Sequence, residues 1–101
     1  MSTLHTVNAS PFQYSVLDSC LRVASVGDSI LLLEDGVYAL VGTHPYKQQL
    51  QHIIDTGLRV YALLPHLQER HLNAPDTIEV VDYDGFVALS TQHQRIQSWY
   101  P

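Results

Sequence analysis

Short apolar runs of strand character alternate along the chain with stretches whose apolar residues recur at helical spacing. "TLHTV" (Thr3 to Val7) reads as a first strand. "NASPFQ" then carries the signs of a helix start: Ser10 as N-cap, Pro11 at the first helical position, and Gln13 three residues after the cap. A helix running to about Ser25 is predicted, ended by "VGD". "SILLLE", "RVYALL" (Arg59 to Leu64) and "TIEVV" (Thr77 to Val81) are nearly continuous apolar runs, the pattern of strands covered on both faces. Between them, "HPYKQQLQHIIDTG" places Tyr46, Leu50, Ile53 and Ile54 on one helical face, with Gly57 as its stop. "PHLQERHL" gives a short helix and "DGFVALSTQ" a last one, whereas the polar "STQHQRIQS" shows no core-facing period.

Strand and helix in alternation predict an α/β fold: one domain over residues 1–101, with a mostly parallel sheet, right-handed crossovers and helices on both faces. Ligands of such sheets gather beyond the carboxyl ends of the strands. Those ends carry Asn8, then Glu34 and Asp35, then Pro65, then Asp82. The set is acidic and poor in nucleophiles.

Composition narrows the function. With 46% hydrophobic residues in 101, the chain can bury a real core without staples. Five Lys and Arg stand against ten Asp and Glu, for a net charge of −5, and no two basic residues are adjacent. Direct binding of nucleic acid, which needs clustered cations, is therefore not expected. The longest apolar run, "ILLL", is far short of the roughly 20 residues of a membrane span. A single cysteine and an N-terminal stretch without a basic start or apolar core point to a soluble, cytoplasmic protein. No Gly-rich phosphate loop appears, and no cofactor is expected.

Cys20 is the obvious candidate for chemistry. On a helical wheel it lies with Val16, Leu17, Val23 and Ala24, and opposite Asp18 and Arg22. A thiol in the middle of an apolar face is expected to pack, and burial there would raise its pKa. The six histidines include no i, i+4 pair; His66 and His71 are five apart, so no metal site is expected. Glu34 and Asp35 invite a Mg²⁺ reading together with Asp82, but the plainer reading makes Asp35 the cap of a short helix begun by Gly36 and Val37. Trp99 and Tyr100, following a polar stretch, suggest docking onto the chain's own fold or onto a neighbouring subunit.

Five segments in order, "LHTVNASPF", "GDSILLLEDGVYAL", "VYAL", "VVDYDGFVAL" and "QSW", resemble the small TusB/DsrH family over almost the whole chain. The resemblance implies a DsrEFH-like fold and a heterohexamer with two related subunits, two copies of each. In the TusBCD form, persulfide sulfur passes from TusA through a cysteine on TusD to TusE. It ends in the 2-thiouridine of 5-methylaminomethyl-2-thiouridine at the tRNA wobble position. In the DsrEFH form, similar proteins serve cytoplasmic sulfur oxidation. Cys20 matches the position where DsrH-type members carry a cysteine, and Tyr83, Phe86, Val87 and Trp99 match a C-terminal pattern that implies fold or assembly roles. His71 departs from the family by standing where members often have glycine, so Asn73 is expected to take the left-handed position instead.

The combined expectation is a non-catalytic subunit of a sulfur-relay complex. Its partners would be TusC-like and TusD-like subunits, or DsrF-like and DsrE-like ones. Two alternatives stand beside it: a DsrH-type subunit in which Cys20 carries persulfide, and a free-standing acidic module holding Mg²⁺.

Overall fold

The structure, a computed structural model, describes residues 2–101. Five parallel strands form one sheet: β1 (Thr3–Val7), β2 (Ser29–Leu32), β3 (Arg59–Leu63), β4 (Glu79–Val81) and β5 (Arg95–Trp99). Their order across the sheet is β4-β3-β2-β1-β5, so successive connections move one way until the last, which returns to the far side of β1. The helices are α1 (Val16–Val23), α2 (Lys47–Asp55), α3 (Leu64–Glu69) and α4 (Tyr83–Gln92), with a 3₁₀ segment at Glu34–Leu40.

The apolar strands are buried on both sides. Val7, Ile30, Leu32, Val60 and Ala62 meet Leu17, Cys20 and Leu21 of α1, Leu50 of α2 and Leu67 of α3. On the opposite side Leu4, Leu31, Tyr61 and Leu63 meet Leu89 and Phe86 of α4. Alternate residues of one strand thus serve two different layers, which is why β2 and β3 need apolar residues at nearly every position. At roughly 25 cal/mol per Å² of apolar area removed from water, these two layers are the main source of stability.

Several boundaries differ from the sequence reading. The first helix starts at Val16, five residues after Pro11. Ser10 does use its hydroxyl, accepting from Phe12 N–H at 3.2 Å, but it closes a turn: Gln13 and Tyr14 N–H both reach the Ser10 carbonyl. Phe12 and Tyr14 are exposed, so no apolar face exists there to hold a helix against the sheet. "TIEVV" supplies only three ladder residues. "STQHQRIQS" conceals β5, paired along its length with β1 from Thr3↔Arg95 to Val7↔Trp99. It is an edge strand with little burial, so it has no need of an apolar period.

Asp35 is not a cap. The residue before the 3₁₀ segment is Leu33, and Asp35 lies within the first turn with its carboxylate turned to Arg70. His71 itself takes the left-handed conformation (φ 55°), so Asn73 is not required for it. Gly57 ends α2 as expected, with φ 93°.

Gly36 is fixed by a close approach. A Cβ there would run into the carbonyl of Val7, which also accepts from Leu33 N–H at 3.1 Å. Gly36→Ala must push the 3₁₀ segment off the end of β1, and we expect it to destabilise the fold by about 2 kcal/mol or more in a denaturant melt.

Candidate functional site

Cys20 lies at the centre of α1, fully buried among Leu17, Leu21 and Ile30. Burial pushes its thiol up to about 12, with the nearby Asp28 carboxylate adding to the rise. At neutral pH only on the order of one thiol in 10⁵ would be ionised, and the thiolate is the species that attacks a persulfide or disulfide. The side chain is a small apolar packing group as placed.

Next to it lies a polar network that sequence reasoning missed. His5 points from β1 into the α1 side of the sheet and is almost wholly buried. Its Nε2 lies 2.9 Å from Asp28 Oδ2, and its Nδ1 accepts the indole N–H of Trp99 at 3.0 Å. An indole N–H can only donate, so His5 Nδ1 is unprotonated and Nε2–H donates to Asp28. Asp28 also accepts from Thr3 N–H (2.9 Å) and Ser25 N–H (3.1 Å). Burial works against this carboxylate. The hydrogen bonds from His5, Ser25 and Thr3 outweigh it and hold Asp28 below the usual aspartate range. The signal available in the sequence was a polar residue on the face of β1 that also carries Val7, together with the aspartate that closes the α1 loop.

At the carboxyl ends of β2, β3 and β4, side chains bind one another and the nearby backbone. Glu34, at φ 49°, donates its N–H to His66 Nδ1 at 2.7 Å. His66 Nε2 meets the Tyr83 hydroxyl at 3.2 Å. Arg70 holds Asp35 at 2.9 Å and the His66 carbonyl at 3.1 Å, which ties α3 to the 3₁₀ segment. Asp82 caps α4 by accepting from Gly85 N–H at 2.8 Å. The carboxylates of Asp35 and Asp82 are therefore engaged separately, and Glu34 enters the network through its backbone N–H. Among the described residues no three His, Cys, Asp or Glu side chains converge on a possible metal position.

The expected contact residues divide in two. Tyr83 (54% exposed) and Val87 (62%) stand on the outer side of α4, while Phe86 turns inward to the Leu4, Leu31 and Tyr61 layer. Ile96, 52% exposed, stands on the same side of the sheet as α4, which leaves it uncovered. Trp99 packs half-buried on the chain's own core, and Tyr100 beyond it is exposed.

Iodoacetamide should modify Cys20 only after denaturation. Cys20→Ala should cost on the order of 1 kcal/mol, and Cys20→Asp far more, since it buries an unpaired charge beside Asp28. For Asp28, the ionised form is favoured by folding. Its contribution is complete above the ordinary aspartate range and is lost as pH falls through the lower folded value. Asp28→Asn should flatten the acid limb of stability against pH and cost on the order of 1–3 kcal/mol at neutral pH by leaving a buried partner unpaired.

Comparison with known proteins agrees with this architecture. The family described as "DsrH like protein" matches residues 9–96. Protein TusB of Pectobacterium atrosepticum is 32% identical over 99 residues, covering 95% of this chain and 99% of that protein. Protein TusB of Escherichia coli K12 is 36% identical over 98 residues, with the same coverage. In three dimensions the ychN protein of E. coli superposes with a TM-score of 0.82 at 16% identity, covering 98% of this chain and 100% of that one. MTH1491 of Methanobacterium thermoautotrophicum, a protein of unknown function, gives 0.71 at 18% identity, covering 95% and 96%. These two show the shared fold, and the sequence relatives show the descent: the chain belongs to the DsrH-like family that includes the TusB proteins.

Proposed function

We propose that the chain is a non-catalytic subunit of a cytoplasmic sulfur-relay complex, a frame for related subunits that carry the working thiol. The observation that supports this reading is the state of Cys20. A relay cysteine must be exposed and low in pKa, and Cys20 is fully buried and pushed up to about 12. In its finer form the proposal is a heterohexamer with TusC-like and TusD-like subunits. Persulfide sulfur enters from a TusA-like carrier, passes through the TusD-like subunit and leaves on TusE for wobble-uridine 2-thiolation in tRNA. Family resemblance supports those partners. The net charge of −5 supports a chain that meets proteins and not tRNA.

For the contact surface the proposal uses the side of the sheet that α4 covers incompletely. Tyr83 and Val87, with Ile96 and Tyr100, would meet the partner, while Phe86 supports the helix from beneath and Trp99 holds the edge strand from the other face. Aromatic and aliphatic side chains exposed together are the usual core of a stable interface. The alternative of a DsrH-type sulfur carrier in sulfur oxidation requires Cys20 to leave its core position before it can react.

Co-expression with the two partner subunits tests the reading. The wild-type chain should co-purify as a hexamer, and Val87→Asp should break the assembly while leaving the melting of the isolated chain unchanged. Cys20→Ala should assemble and support wild-type 2-thiouridine levels in tRNA. Normal assembly of Val87→Asp would overturn the contact surface. Loss of thiolation by an assembled Cys20→Ala complex would overturn the non-catalytic reading.

A further inference from the structure

The contact between Trp99 and His5 depends on a ring nitrogen that carries no proton. Trp99 Nε1–H donates to His5 Nδ1, and the other ring nitrogen already carries its proton toward Asp28. A second proton on His5 has only Nδ1 to occupy, which would set two donors against each other at 3.0 Å. The imidazolium and the indole hydrogen bond therefore exclude one another.

The counter-charge that a doubly protonated ring would meet is Asp28. Asp28, from the loop before β2, stays ionised and lies 2.9 Å from Nε2. A cleft of about 400 Å³ between the end of α1 and β5, lined by His5, Asp28, Arg95 and Trp99, gives solvent a route in. The other charged or titratable groups around His5 are few. Arg95 of β5 shares the cleft and opposes a second positive charge, and Cys20 of α1 remains a neutral thiol. Asp18 and Arg22 of α1 pair with each other, and His93 is bound to Ser29 on the other side of the sheet.

Trp99 is also the main side-chain anchor of its strand. The other four residues of β5 are exposed, and Trp99 packs on the core cluster. We propose that His5 and Trp99 form a proton-operated latch: protonation of His5 releases the Trp99 indole and loosens the carboxyl end of β5 from the sheet edge, while the remaining strands hold. The latch follows from this chain's own contacts and stands whether or not the relay reading does.

The chain has a single tryptophan, so the latch can be read directly. The full chain, ¹⁵N-labelled at its indole, would be followed by NMR from about pH 8 to about pH 5, the interval in which histidine is the side chain that changes charge. It can be read free or assembled with unlabelled subunits. The indole N–H signal should lose its hydrogen-bonded shift, and Trp emission should move to longer wavelength, reversibly, while the β2 and β3 amides keep their positions. His5→Gln offers an acceptor to Trp99 and a donor to Asp28 without titrating, and should abolish the transition. An indole signal that stays fixed until the β2 and β3 amides are lost would overturn the latch. So would a transition that persists in His5→Gln. If His5→Gln does not fold, the comparison of indole and sheet amides in the wild-type chain decides alone.

Discussion

A parallel sheet must be covered on both faces, and in this chain the coverage is uneven. β2 is buried at every position and takes its neighbours from two layers. On one side α1, α2 and α3 share the work; on the other α4 stands alone beside a five-strand sheet. The sheet is wider than one helix of about 10 Å can shield. Ile96 and the outer side of α4 remain open, so the face proposed for a partner is what a one-helix layer leaves over.

What could be read from the sequence tracks what physics makes local. β2 and β3 were legible because burial on two faces demands nearly unbroken apolar runs, β1 as a short β-rich run before the turn at Ser10, and α2 because its stripe and Gly57 agree. β5 was not, because an edge strand is specified by its backbone partners and one indole, and neither leaves a period in "RIQSW". The early helix start failed for a related reason: Ser10, Pro11 and Gln13 satisfy a local rule for a helix that has nothing to pack against until Val16. At the site, the burial of Cys20 was visible on the helical wheel. The His5, Asp28 and Trp99 network joins residues 23 and 94 positions apart, and no spacing rule spans such distances.

The two unusual groups under α1 respond differently to the same burial. The thiol has no hydrogen-bond donor to favour its ionised form, so desolvation dominates and it stays neutral. Asp28 is also buried, but three donors converge on it and it stays charged. This part of the protein thus holds a fixed negative charge and an inert sulfur a short way apart. That arrangement suits a support more than a reactive centre.

The position of β5 beside β1 also shapes how the chain reaches this structure. Thr3 and Arg95 are paired neighbours, so the edge of β1 stays open until residues 95–99 have been made. Closing so long a loop is entropically costly and slow relative to local helix formation. During synthesis the first four strands can collapse while β1 waits with an unsatisfied backbone edge, and β5 of any nearby copy could serve it equally well. Exchange of β5 between nascent chains is therefore the misassembly to which this topology is most open, and the rate at which Trp99 finds His5 sets how long that opportunity lasts.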